Sequence, residues 1–151
     1  MKGKKKLLTL PLAAAMVLSL AVPAVAAEET ASPEESAKAA FTDVAADAWY
    51  APAVSYVTGE GIMNGTGEAV FSPDMTVTRG MVYQTLYNME GQPAVTGENT
   101  FTDVDSADWW NTAVTWAQKT GVVSGYDDQT FRPDHAVSRE ELAQMLYNYA
   151  K

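Results

Sequence analysis

Phe41-Thr42-Asp43-Val44 recurs sixty residues later as Phe101-Thr102-Asp103-Val104, and the offset holds without a gap to Lys151. Laid over residues 41–91, residues 101–151 agree at 18 of 51 positions. Unrelated sequence would agree at about three, so the chain carries an internal duplication. Each copy has a Trp (Trp49, Trp109), an Ala-Val pair, two glycines four apart (Gly61 and Gly65, Gly121 and Gly125), Phe-x-Pro-Asp, Val-x-Arg and Leu-Tyr-Asn. The chain works through two copies of one module.

Working outward, each copy predicts two helices around a glycine-rich loop. The first spans about residues 48–60, with Trp49, Ala53, Tyr56 and Val57 on one face; Trp109, Ala113, Trp116 and Ala117 repeat that stripe. Gly61 and Gly121 stand where left-handed helix C-caps belong. The loops that follow, residues 61–77 and 121–137, place Phe71 and Phe131 as apolar plugs. The second helix starts at Thr78 and at Ser138. Ser138-Arg139-Glu140-Glu141 is a full capping box, whereas Thr78-Arg79-Gly80-Met81 keeps the cap and loses the Glu. Its expected apolar stripe is Val82, Thr85, Leu86 and Met89, then Leu142, Met145, Leu146 and Tyr149. The fold class is mainly α.

Organisation along the chain follows. Residues 1–26 read as a signal peptide: Lys2, Lys4, Lys5 and Lys6, an apolar run, and Ala24-Val25-Ala26 before cleavage. Pro11 and Pro23 and the short apolar length argue against a membrane span. Residues 27–40 form an acidic leader, either a short helix from Pro33 or disordered. The first repeat is 41–91, a linker 92–100, and the second repeat 101–151.

Composition excludes several classes. After signal removal six basic residues face nineteen acids, a net charge of −13, which opposes nucleic acid and anionic membranes. With no cysteine and one histidine, His135, neither a disulfide framework, a zinc cluster nor a His-based triad is expected. Asp127-Asp128 lacks the alternating acids of a calcium loop. No cofactor and no metal are expected. Glu140 and Glu141 point about 100° apart on a helix, a poor arrangement for glycoside hydrolysis, and the chain does not read as an enzyme.

The ordered set Phe-x-Asp-Val, Trp, Ala-Val, Gly-x-x-x-Gly, Phe-x-Pro and Thr-Arg or Ser-Arg at a helix start resembles the bacterial S-layer homology (SLH) repeat, twice over. The resemblance implies a helical, spindle-like bundle commonly built from three repeats. It further implies non-covalent binding to a wall-linked polysaccharide, often bearing pyruvyl ketals, which holds an exported protein at the cell surface. Two repeats rather than three, and the missing Glu, depart from that pattern.

Candidate ligand residues follow from chemistry and resemblance together. Arg79 and Arg139 stand in the first turn of a helix, where a cation opposes the helix dipole by ~0.3–1 kcal/mol. Guanidinium and free N–H groups there form a receptor for a carboxylate such as a pyruvyl group; an internal ion pair to Asp43 or Asp103 is the structural alternative. Trp49 and Trp109 read as stripe residues, Tyr50 and Trp110 as their more exposed neighbours and possible sugar platforms. Gly65 and Gly125 permit close backbone approach, or supply turn geometry. Asp43 and Asp103 brace the local fold, with a ligand hydroxyl as a secondary role. The partner expected is a cell-wall polysaccharide; the competing class is a self-assembly unit, a homo-oligomer or a pairing with other SLH chains.

Overall fold

The computed structural model describes residues 41–151, in which every element recurs at the sixty-residue offset. The helices are α1 (Ala51–Gly59), α2 (Arg79–Met89), α3 (Asn111–Lys119) and α4 (Arg139–Ala150). Among the described residues there are no strands, only isolated bridges, and the fold is mainly α. The signal peptide and the leader helix expected near residues 33–40 lie outside the described residues.

The Phe-Thr-Asp-Val stretch is a clip. Asp43 accepts the backbone N–H groups of Phe71 (2.9 Å) and Ser72 (2.7 Å), and Thr42 N–H donates to Ala69 O. Asp103 does the same with Phe131 and Arg132, both at 2.7 Å, and Thr102 with Gln129. The clipped loops hold Ala69, Ser72, Gln129 and Arg132 at positive φ, each costing ~1–3 kcal/mol. A carboxylate receiving two successive amides offsets that strain. Phe41 packs on Phe71 with ring centroids 5.3 Å apart, and Phe101 on Phe131 at 5.6 Å. The recurrence that reveals the duplication is thus the tie that closes each repeat.

Helix ends follow the sequence closely at three points and depart at one. Gly61 (φ +69°) ends α1 in a Schellman turn: its N–H donates to Thr58 O, and that of Ile62 to Val57 O. Thr78 caps α2, and Ser138 with Glu141 completes the capping box of α4. Bonded by the Ser138 N–H, the Glu141 carboxyl sits below its ordinary value. The first helix starts later than expected, at Ala51 instead of residue 48. Ala51 N–H bonds Ala48 O in a turn, and Pro52, which has no N–H to lose, fits the first helical turn. Trp49 and Trp109 therefore project from turns ahead of the helices and are not stripe residues.

The main core lies between the repeats. α2 packs against α3, with Tyr83 edge-on to Phe131 (5.4 Å) and Tyr87 against Trp116 (5.7 Å). Val82, Leu86, Ala113, Val114 and Ala117 fill the space around them. The buried stripe of α2 is Val82, Tyr83, Leu86 and Tyr87, turned by about one residue from the expected one, and Met89 is exposed. Of the stripe expected on α4, only Met145 is buried, while Leu142 and Leu146 are exposed. The physical reason is direct: α2 has α3 laid over it, and among the described residues no helix lies over the equivalent face of α4.

Candidate functional site

The first turn of α2 is closed by the second repeat. Arg79 N–H donates to His135 O (3.0 Å) and Gly80 N–H to Pro133 O (2.8 Å), while Val137 N–H returns a bond to Val77 O (3.1 Å). The Arg79 side chain follows the same route. Only 8% exposed, it donates from Nε to Phe131 O at 2.9 Å, with its guanidinium 4.9 Å from the Tyr126 ring centroid and 5.1 Å from that of Phe131. The free N–H groups expected beside Arg79 are therefore bonded to protein carbonyls. No ion pair joins Arg79 to Asp43 or Asp103, whose carboxylates hold their own repeats' loops; those amides keep the Asp43 carboxyl below its ordinary value of 3.8.

Gly80 is packed tightly into this junction. A Cβ there would lie 3.3 Å from Trp110 Cδ2 and 3.4 Å from Pro133 O, so a larger residue would need its neighbours to give by a few tenths of an ångström. Met81, standing where a capping-box Glu would, faces a groove instead.

That groove, of about 650 Å³, runs along the outer side of α2. One wall is the loop from Ile62 to Val77, the floor is Met81, Gln84, Thr85 and Asn88, and Trp109 from the second repeat forms the end. Trp109 is 56% exposed and packs edge-on against Trp110, centroids 4.8 Å apart, which fixes its ring while leaving a face to solvent. Gln84 Nε2 donates to Asn88 Oδ1 (2.8 Å), Asn88 Nδ2 to Ile62 O (3.0 Å) and Gln92 Nε2 to Asn88 Oδ1 (2.9 Å). Thr66 and Ser72 share a hydroxyl–hydroxyl bond of 2.6 Å. The groove thus joins an exposed aromatic face to pre-positioned amides and hydroxyls, with no cation in its walls.

Of the candidate residues, Trp109 and Gly65 come together here. Gly65 is needed structurally: a Cβ would fall 2.6 Å from the Phe41 ring. Arg79 and Trp110 lie in the junction, Trp110 with its indole Nε1 enclosed. Asp43 and Asp103 are the clips, and Gly125 (φ +73°) sits under the Phe101 ring. Trp49 (91% exposed) and Tyr50 flank the open side of α1, and Arg139 is exposed at the start of α4. The expectation that Tyr50 and Trp110 would be the more exposed pair is reversed, because the late helix start makes them N-caps folded inward. Asp128 bonds Thr130 and Arg132 within its own turn.

Sequence reasoning passed over Gln84 and Asn88. Their signal was available: both recur, as Gln144 and Asn148, and Gln144 again donates to Asn148 at 2.8 Å. In both copies the Asn also holds the loop that follows the preceding helix, Asn88 donating to Ile62 O at 3.0 Å and Asn148 to Val122 O at 3.4 Å.

Comparison with known proteins agrees with this organisation. The chain is 30% identical over 146 residues to the middle cell wall protein of Brevibacillus brevis, a match covering 94% of this chain and 13% of that one. It is 32% identical to endo-1,4-beta-xylanase A of Thermoanaerobacterium saccharolyticum, over 69% of this chain and 9% of the enzyme. The cellulosome-anchoring protein of Acetivibrio thermocellus is 27% identical over 70% of this chain and 25% of its own length. The chain therefore spans a quarter or less of each of these relatives. The family model for the S-layer homology domain matches residues 40–80 and 100–143, one match in each copy of the duplication, and the chain belongs to that family.

Proposed function

We propose that this chain is a non-catalytic attachment module that binds a wall-linked polysaccharide in the groove along α2, which Trp109 of the second repeat closes at one end. It is a secreted protein of the bacterial cell surface, as family membership and its wall-protein relatives indicate. The observation that carries the ligand reading is the groove's composition. A fixed, exposed indole can cover the apolar face of a sugar ring, and the amides of Gln84 and Asn88 with the Thr66 and Ser72 hydroxyls offer donors and acceptors to ring hydroxyls. The same kind of region occurs in a cell wall protein, a xylanase and an anchoring protein. A part common to proteins with such different names supports attachment over any one chemistry.

Recognition in the groove is of sugar rings and hydroxyls. A pyruvyl carboxylate, the other group the resemblance implies, has Arg139 to meet it, exposed and without a carboxylate partner among the described residues. The test is sedimentation of the exported chain with purified cell walls, before and after the wall-linked polymer is stripped. Binding is expected to be lost on stripping and reversed by denaturant. Equal binding to stripped walls would overturn the reading.

A further inference from the structure

The junction between the repeats is built from two different faces, and each repeat carries both. One face is the inner side of α2 with the N–H groups at its start. The other is α3 with the carbonyls of the loop before α4. By the sixty-residue offset, α4 carries the first kind of face and α1, with the loop before α2, carries the second. These two are open. Leu146 is 47% exposed where its counterpart Leu86 is 3%, and Tyr56 is 65% exposed where Trp116 is 7%. Leu142 and Tyr147 join Leu146 on α4's face, and Trp49 stands beside Tyr56 on the other. Five of the nine exposed large apolar residues among the described ones thus fall on these two faces, whereas Met75 and Val77 line the groove along α2.

The polar groups are open in the same way. Across the junction, Arg79 and Gly80 give their N–H groups to His135 and Pro133, and Arg79 Nε reaches Phe131 O. Among the described residues, the N–H groups of Arg139 and Glu140 have no protein partner, and neither do the carbonyls of Phe71, Pro73 and Met75. Donors and acceptors therefore match in number and order on the two open faces. The two faces also differ in shape: Glu140 stands where α2 has Gly80 and Ala143 where it has Tyr83, while Tyr50 and Thr66 stand where the closed junction has Trp110 and Tyr126.

We propose that α4 of one copy docks on α1 of a second copy of this chain, repeating between chains the contact that α2 and α3 make within it. The interface is head-to-tail, so each added copy presents a fresh face and assembly grows until the ring closes. Arg139 takes the place of Arg79 in the new junction, so only a free chain or the copy at the end of an assembly keeps it exposed to meet a carboxylate. Trp49 takes the place of Trp109 and ends a second groove along α4; that consequence rests on the groove reading above, whereas the association does not.

The test uses two variants of the exported chain, Leu146→Glu, which spoils the α4 face, and Tyr56→Glu, which spoils the α1 face. Both positions are exposed, so circular dichroism should be unchanged. Sedimentation is run at 0.15 M salt or above to screen the like charge of the chains. The wild type is expected to form species larger than one copy as concentration rises. Each variant alone should be monomeric, its self-association weakened by about thirty-fold or more. An equimolar mixture should restore a complex of two copies, since each supplies the face the other lacks. A wild type that stays monomeric up to millimolar concentration, its faces covered by its own leader or not at all, overturns the proposal. So does self-association of Tyr56→Glu alone, which would indicate a symmetric α4–α4 contact, and so does a mixture that stays monomeric.

Discussion

Arg79→Ala is expected to lower the melting temperature by roughly 10 °C. The substitution removes the bond from Nε to Phe131 O at 2.9 Å, and a buried hydrogen bond to a charged group contributes about 1.5–3 kcal/mol. It also empties the space between the Tyr126 and Phe131 rings, where the cation adds ~1 kcal/mol more. Arg139→Ala, at the equivalent but exposed position, should move stability by no more than about 0.5 kcal/mol at concentrations where the chain is monomeric. Thermal melts followed by circular dichroism check the pair. Equal small shifts would show that Arg79 does not hold the repeats together.

The second large effect concerns ligand binding. Trp109→Ala should weaken binding to cell walls by roughly thirty-fold, corresponding to the ~2 kcal/mol typical of an aromatic that dominates an interface. The ring is 56% exposed and packs on Trp110 alone among the aromatic contacts it makes, so its removal should cost less stability than Arg79→Ala. Binding isotherms on purified walls, with a melt of the same sample, separate the two quantities. Undiminished binding by a folded Trp109→Ala chain would remove the indole from the site.

Much of the fold was legible because the duplication made each local signal appear twice. The caps at Thr78 and Ser138, the left-handed glycines Gly61 and Gly121, and Phe131 as a plug are all consequences of backbone chemistry within a few residues. What local reading did not reach was set by contacts between repeats. Tyr83 and Tyr87 are buried by Phe131 and Trp116, some 30 to 50 positions away, so the α2 stripe turns toward them and leaves Met89 outside. The same junction converts Arg79 from a candidate receptor into a bridge and packs closely on Gly80. Helical periodicity also drew Trp49 and Trp109 into a stripe they do not belong to, because a turn closed by Ala48 O delays the helix by three residues. The candidate site was therefore half visible: its Trp and its loop glycine were named, whereas the amide pair Gln84–Asn88 could be found only by asking why a polar pair repeats.

The central claim is that the groove along α2 receives a wall glycan. The most direct measurement is an NMR titration of the isotopically labelled chain with soluble fragments of the wall polysaccharide, following side-chain N–H signals. The account predicts that the Trp109 indole signal and the amide signals of Gln84 and Asn88 shift together with one saturation curve, while the enclosed indole of Trp116 stays in place. Shifts confined to residues of α4, with the signals of Trp109, Gln84 and Asn88 unmoved at saturation, would contradict it.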